Sequence, residues 1–216
     1  MSISMKNSLK PGKFETDFFY SGKSQFFSCS HIFSEESYLL LQKAFCHVSW
    51  KEKKTNFYRQ YESVIVPADG HDLTLLFDPL FFIPFRRSVE KLLGGVHLRN
   101  VVRLVANKLI TSQEIDVHND YCDPELGYEN FRFILQFAKE GELVSGGEIS
   151  FLASLDKSDI IKRYKYQANS GICFEISPHS HHFVSPVEGE RNSLIMYLWK
   201  TDSKYDGSGV EILKDE

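Results

Sequence analysis

From Val96 onward the chain settles into a succession of short apolar segments: "VHLRNVVRLVA", "EIDVHND", "FRFILQFA", "GGEISFLA", "SGICFEI", "HHFVSPV" and "NSLIMYLW". Each alternates with period two or is continuously apolar, and turn-forming residues rather than helices separate one from the next. Parallel strands need long crossover connections, usually helical, whereas strands joined by turns pair antiparallel. The pattern therefore predicts an antiparallel sandwich or barrel, not a parallel sheet.

The first half reads differently. Residues 1–13 are polar and hold Pro11 and Gly12, as expected of a loose leader. "FETDFFYSGKSQFFSCSHIF" is aromatic and broken by a Ser-Gly turn signal, which predicts one or two short strands. "SEESYLLLQKAFCHVSW" predicts a helix: Ser34 supplies an N-cap, acids occupy the first turn, and Tyr38, Leu41, Phe45 and Val48 share a face. The "KEKK" run at 51–54 reads as a solvated connector, and residues 57–68 include a strand-like half. A second helix is expected from about residue 80, given Pro79 and Pro84, to Gly94 and Gly95, where a C-cap glycine belongs. The expected class is α+β, helices first and sheet after. A single domain spans 1–216, with helical support over 34–95 and the sheet core over 96–200.

A formal net charge of -4 lacks the global basic footprint of a nucleic-acid binder, so no nucleic-acid partner is expected. Cys29, Cys46, Cys122 and Cys173 are scattered and form no Cys-x-x-Cys pair, which argues against a zinc ribbon, a thioredoxin-like motif and a dense disulfide scaffold. They read as free thiols in a reducing compartment. The N-terminus has no signal-peptide core, and no stretch reaches the ~20 apolar residues of a membrane span. A cytoplasmic protein without a membrane partner is expected.

The stretch "DVHNDY" at 116–121 places an imidazole and a carboxylate two positions apart at the end of an alternating run. On an extended strand His118 and Asp120 would share one face and Asn119 would take the other. Alone, such a pair is most simply surface polarity. A facial non-haem iron site takes two histidines and one carboxylate and leaves positions open. The segment "SPHSHHFVSPVEGERNSLIMYLW" offers His179, His181 and His182 as the missing ligand.

Taken together, "HND", "GGEISFL" and "HFVSPVEGERNSLIMYLW" resemble the iron(II)- and 2-oxoglutarate-dependent dioxygenase superfamily, in particular its prolyl-4-hydroxylase-like branch. The resemblance covers roughly residues 96–200. It implies a double-stranded β-helix of the jelly-roll or cupin-like kind, flanked by the N-terminal helices. It further implies His118, Asp120 and His182 as metal ligands and catalytic residues, with Fe(II), 2-oxoglutarate and O2 as cofactor and co-substrates. His182 matches the distal ligand because Phe183, Val184, Ser185, Pro186 and Val187 follow it in register. His181, ten residues before Arg191, is its rival and His179 the third candidate.

Arg191 matches the residue that anchors the far carboxylate of 2-oxoglutarate, a task suited to a planar fork of donors. Relatives often place a Tyr on the strand before the first ligand and another on the strand after it. Here Asn107 or Lys108 and Gln136 stand instead, and Asn107 and Gln136 are the candidate co-substrate contacts. Arg132, on the side of its strand shared with Gln136, is a candidate for meeting the substrate. Gly146 and Gly147 read as a turn or a close backbone approach.

Hydroxylation of an unactivated C–H is the expected activity, with desaturation or ring closure as variants. The resemblance favours an amino-acid side chain, in a peptide or free, including natural-product tailoring. Selectivity is expected from "YCDPELGYEN", residues 138–145 and the stretch around Arg59 and Tyr61. The rivals are an oxygenase acting on another small metabolite or on nucleic acid, a non-enzymatic jelly-roll binding module, and a zinc hydrolase. Nucleic-acid demethylases of the superfamily carry a second Arg on the last strand, which "RNSLIMYLWK" lacks.

Overall fold

Antiparallel pairing runs through the chain, in the computed structural model that describes residues 9–12, 15–21, 24–138 and 144–213. The aromatic opening forms a hairpin, β1 (Glu15–Ser21) with β2 (Ser24–Ser30). Helix α1 (Glu35–Ala44) begins at Ser34, whose hydroxyl accepts from the Ser37 N–H. Its apolar stripe buries Tyr38 and Leu41 and continues through a 3-10 turn to Phe45 and Val48. Then come β3 (Lys51–Lys54), β4 (Arg59–Ile65) and α2 (Pro79–Leu92). The remaining strands are β5 (Val101–Ile110), β6 (Ile115–His118), β7 (Phe131–Ala138), β8 (Ser145–Gly146), β9 (Ile149–Leu152), β10 (Ile160–Tyr164) and β11 (Ser170–Glu175). They continue with β12 (His182–Val184), β13 (Val187–Glu188), β14 (Glu190–Leu198) and β15 (Val210–Glu211).

The larger sheet has the order β1-β2-β11-β7-β14-β5-β4-β3, with β15 beside the start of β5. The smaller has the order β10-β9-β12-β6, and β13 pairs with β8 at its margin. Phe26, Ile134, Ile172 and Phe174 of the larger sheet meet Ile149, Phe151 and Val184 of the smaller in one apolar layer. The outer face of the larger sheet is covered by both helices, with Leu41, Phe82 and Phe85 packing over it. This is the two-sheet jelly-roll architecture with helical support that the strand pattern and the resemblance imply, in an α+β chain.

Three sequence expectations need correction. "KEKK" is the edge strand β3 rather than a connector; all four residues are exposed, as suits a charged edge that discourages further pairing. The segment 34–95 is not helical throughout, because β3 and β4 lie within it and extend the main sheet. Helices do not simply precede the sheet, since the β1–β2 hairpin joins β11. Helix α2 starts at Pro79, in the first turn where its missing N–H costs nothing, and includes Pro84. Most of the leader and residues 139–143 of the expected selectivity loop lie outside the described residues.

Alternation on β7 and β14 separates packing from chemistry. Phe131, Phe133, Leu135 and Phe137, with Leu194, Met196 and Leu198, face the helices. Arg132, Ile134, Arg191, Ser193, Ile195 and Tyr197 face a cavity between the sheets. Phe137 stacks on Tyr38 at 5.7 Å between ring centroids and meets Phe45 at 4.9 Å. Phe137→Ala is expected to lower unfolding stability by about 3–5 kcal/mol, read in a denaturant melt at constant slope. The cysteines are free thiols, and no helix among the described residues is long and apolar enough to cross a membrane.

Candidate active site

Antiparallel register brings the two histidines together. His118 ends β6, His182 begins β12, and they are direct cross-strand partners with ring centroids 4.2 Å apart. Each ring is oriented by its own backbone. His118 Nδ1 lies 2.8 Å from the Asp116 carbonyl and His182 Nδ1 lies 2.8 Å from the Ser180 carbonyl. A carbonyl only accepts, so both Nδ1 atoms carry the proton and both Nε2 atoms keep a lone pair. Burial, reinforced by the neighbouring His182, lowers the His118 pKa to about 4, so this imidazole is neutral at physiological pH.

Asp120 reaches the same point by a route that strand alternation did not anticipate. The strand stops at His118, and Asp120 adopts a left-handed backbone with φ of 57°. Asn119 fixes the loop, donating to the Pro178 carbonyl and accepting from the Tyr121 N–H and, through its carbonyl, from the Ser180 hydroxyl. The Asp120 oxygens lie 3.5 Å from His118 Nε2 and 3.4 Å from His182 Nε2. Arg132 Nη1 touches the carboxylate at 2.6 Å, a charge contact whose angles are poor for a hydrogen bond, and is itself held by Glu129 at 2.7 Å. Burial alone would raise the Asp120 pKa; the charge of Arg132 foremost outweighs it and holds the group ionised, well below the usual carboxylate range.

The donor set fits a divalent cation. Ligand atoms from His118, Asp120 and His182 lie within 4.8 Å of one another. Two lone pairs and a carboxylate converging without a proton among them repel unless a cation lies between, and two imidazoles plus one carboxylate suit ferrous iron with coordination positions left open. His181 is half-exposed, uses its carbonyl to accept from the Leu152 N–H and lies outside this group; His179 is exposed.

Arg191 occupies the same cavity, of about 200 Å3, on β14. It is 3% exposed, and neither its Nε nor its Nη2 has a hydrogen-bond partner; Nη1 reaches Ser193 Oγ at 3.5 Å. Burial pushes its pKa down to about 10, opposed by the Tyr166 phenol, whose ring lies 5.4 Å from the guanidinium carbon. Such a charge with no counter-ion is costly, so the cavity calls for an anion. Asn107 also lines it, opposite Ser193 on β5, with a buried Oδ1 that has no partner.

Gly147 makes room for Arg191. Its φ is 65°, and a Cβ there would stand 2.8 Å from Arg191 Cδ. Gly147→Ala is expected to displace the guanidinium and raise the half-saturating concentration of a dicarboxylate ligand by about tenfold, measurable by titration against protein fluorescence.

Gln136 departs from expectation. Its side-chain oxygen accepts from the Gln167 N–H and the Ser170 hydroxyl, so it braces the turn before β11 and does not line the cavity. Lys108 turns the other way, over the rings of Trp50 and Tyr61. Sequence reasoning missed Tyr166, which no motif marked, and the pairing of Arg132 with Asp120, of which alternation revealed only the face. Of the expected selectivity elements, the loop after Asp120 borders the site, whereas Arg59 pairs with Glu52 on the exposed edge.

No protein-family model and no curated protein matches the sequence. Solved structures do match the fold. A Pseudomonas putida prolyl-4-hydroxylase is similar with a TM-score of 0.61 and 14% identity, over 81% of this chain and 91% of that one. A 2OG-Fe(II) oxygenase family oxidoreductase from Burkholderia pseudomallei is similar with a TM-score of 0.59 and 16% identity, over 81% and 84%. A Trichoplax adhaerens prolyl hydroxylase, in complex with a hypoxia inducible factor oxygen degradation domain peptide fragment, is similar with a TM-score of 0.59 and 8% identity, over 85% and 83%. The chain thus has the jelly-roll fold of 2OG-Fe(II) oxygenases.

Proposed function

We propose that the protein is an Fe(II)- and 2-oxoglutarate-dependent oxygenase that hydroxylates an unactivated C–H bond, with an amino-acid side chain, in a peptide or free, as the substrate class. The observation that carries this reading is one cavity holding both the His118-Asp120-His182 group and a buried guanidinium without an anion. A lone metal site would not require the second feature, and an anion pocket would not require the first.

When bound, ferrous iron and 2-oxoglutarate would supply the oxidising power that replaces C–H by C–OH using O2, with succinate and carbon dioxide as co-products. The chain's own residues do the positioning. His118 and His182 present Nε2 because Asp116 and Ser180 hold Nδ1, and Arg132 fixes the carboxylate of Asp120. Arg191 takes the far carboxylate of 2-oxoglutarate through Nε and Nη2, with Asn107 and Ser193 beside it. Ile134, Ile149, Val184 and Ile195 line the cavity and exclude water, which strengthens those charge contacts. The fold match to prolyl hydroxylases, one of them in complex with a peptide, supports an amino-acid substrate. Free thiols agree with a reducing, cytoplasmic setting, and the net charge agrees with the absence of a nucleic-acid partner.

Anaerobic titration with Fe(II) and 2-oxoglutarate tests the reading. A weak visible charge-transfer band is expected only when both are present, followed by succinate once O2 is admitted. A protein that binds neither would be a jelly-roll binding module instead.

A further inference from the structure

Lys53, Arg103, Arg132 and Arg191 are the cations on the wall of the candidate active-site cavity among the described residues. Three have a counter-charge or a task. Lys53 pairs with Glu62 at 3.0 Å, Arg132 is held by Asp120 and Glu129, and Arg191 is assigned above to 2-oxoglutarate. Arg103 has neither. Half-buried on β5, it forms no ion pair with an acid among the described residues, and its guanidinium lies 5.4 Å from the Tyr197 ring centroid.

Arg132 lies over the same ring at 4.9 Å. Sheet register explains this: Tyr197 faces Arg103 on β5 and Arg132 on β7. Two guanidinium groups thus flank one phenol, and the acids beside the pair, Asp120 and Glu129, both sit on Arg132. An anion bound beside Arg103 would supply the counter-charge that no acid among the described residues brings to it.

That anion is not the far carboxylate of 2-oxoglutarate, which is assigned to Arg191. Arg191 is level with Leu109 and Ala138, whereas Arg103 is level with Tyr197 further along β14. The two levels are six residues apart along β14, so a carboxylate forked by Arg191 sits at the other end of the cavity from Arg103. Arg103 instead stands at the end of the cavity where Arg132 meets Asp120.

We propose that Arg103 determines specificity by pairing with a carboxylate of the molecule to be oxidised, so that the enzyme selects an anionic substrate. The inference rests on the oxygenase reading and adds the charge of the substrate to it. The small cavity favours the α-carboxylate of a free amino acid over a carboxylate carried by a peptide.

The test measures succinate formed above the level without a probe, using the free L-amino acids, their carboxamides, and N-acetylated, C-amidated peptides with and without Asp or Glu. At least one free acid is expected to stimulate turnover, with its carboxamide about tenfold or more weaker in kcat/KM. In Arg103→Leu the acid-over-amide preference should collapse to within about twofold, and Arg103→Lys should keep an intermediate preference. Selective stimulation by capped acidic peptides would assign the same carboxylate to a peptide and would also support the proposal. Equal use of acid and amide, no stimulation by any carboxylate probe, or an undiminished preference in folded Arg103→Leu would overturn it. If wild-type protein also lacks the anaerobic Fe(II)-2-oxoglutarate band, the oxygenase reading falls with it; a normal band without acid preference sinks the Arg103 assignment alone.

Discussion

Arg191→Met is expected to do two opposite things: weaken 2-oxoglutarate binding severely and stabilise the ligand-free protein. Methionine fills similar space without charge. Removing one partner of a buried, hydrogen-bonded charge pair costs about 2–5 kcal/mol, so the half-saturating concentration should rise roughly 30-fold to several thousand-fold. In the absence of ligand the same guanidinium is 3% exposed, with Nε and Nη2 unpartnered, and is a burden to the folded state. Thermal unfolding of the ligand-free variant should therefore occur at a higher temperature than that of wild type. Saturating 2-oxoglutarate with a redox-inert divalent metal should raise the melting temperature of wild type far more than that of Arg191→Met. A variant that melts lower and still responds to 2-oxoglutarate would show that Arg191 is a packing residue.

His118→Ala should remove the anaerobic charge-transfer band and cut succinate formation by more than about a hundredfold, because loss of even an outer partner of a metal ligand costs 10–100-fold. His118 is the cleaner position for truncation. His182 is 4% exposed and packs against Phe174 at 4.9 Å and Phe151 at 5.6 Å, so its truncation also opens a cavity. His118 is less deeply buried, its side chain 15% exposed, and meets chiefly Phe57 and its partner histidine, so a folded, inactive variant is the expected product. Retention of the wild-type band would exclude His118 as a ligand.

Much of this site was legible in the sequence because it rests on local order. The His-x-Asp pair lies at the end of β6 and in its following loop, and the run from Phe183 to Val187 and the offset to Arg191 lie within ten consecutive residues from β12 to the start of β14. On β14 the period of two sets Arg191 on the face opposite Leu194 and Met196. What could not be read depends on register between strands distant in sequence. That His118 and His182 are direct partners, and that Tyr197 stands between Arg103 and Arg132, follow from pairings no local pattern encodes. Gln136 was misassigned for a related reason: alternation gave the correct face, but the turn at 167–170 comes back to occupy its oxygen. Tyr166 lies just before that turn, where composition carries no geometric information. The edge strand β3 was hidden because four charged residues satisfy a solvated edge as readily as a loop.

An anaerobic crystal structure with Mn(II) and 2-oxoglutarate would locate a metal and a dicarboxylate relative to six named side chains. The expected map has the ion bonded to His118 Nε2, His182 Nε2 and an Asp120 oxygen. The 2-keto acid end of 2-oxoglutarate should complete the coordination, with its far carboxylate forked by Arg191 beside Asn107 and Ser193. An ion bound elsewhere, or a dicarboxylate that leaves Arg191 without a partner, would contradict the account.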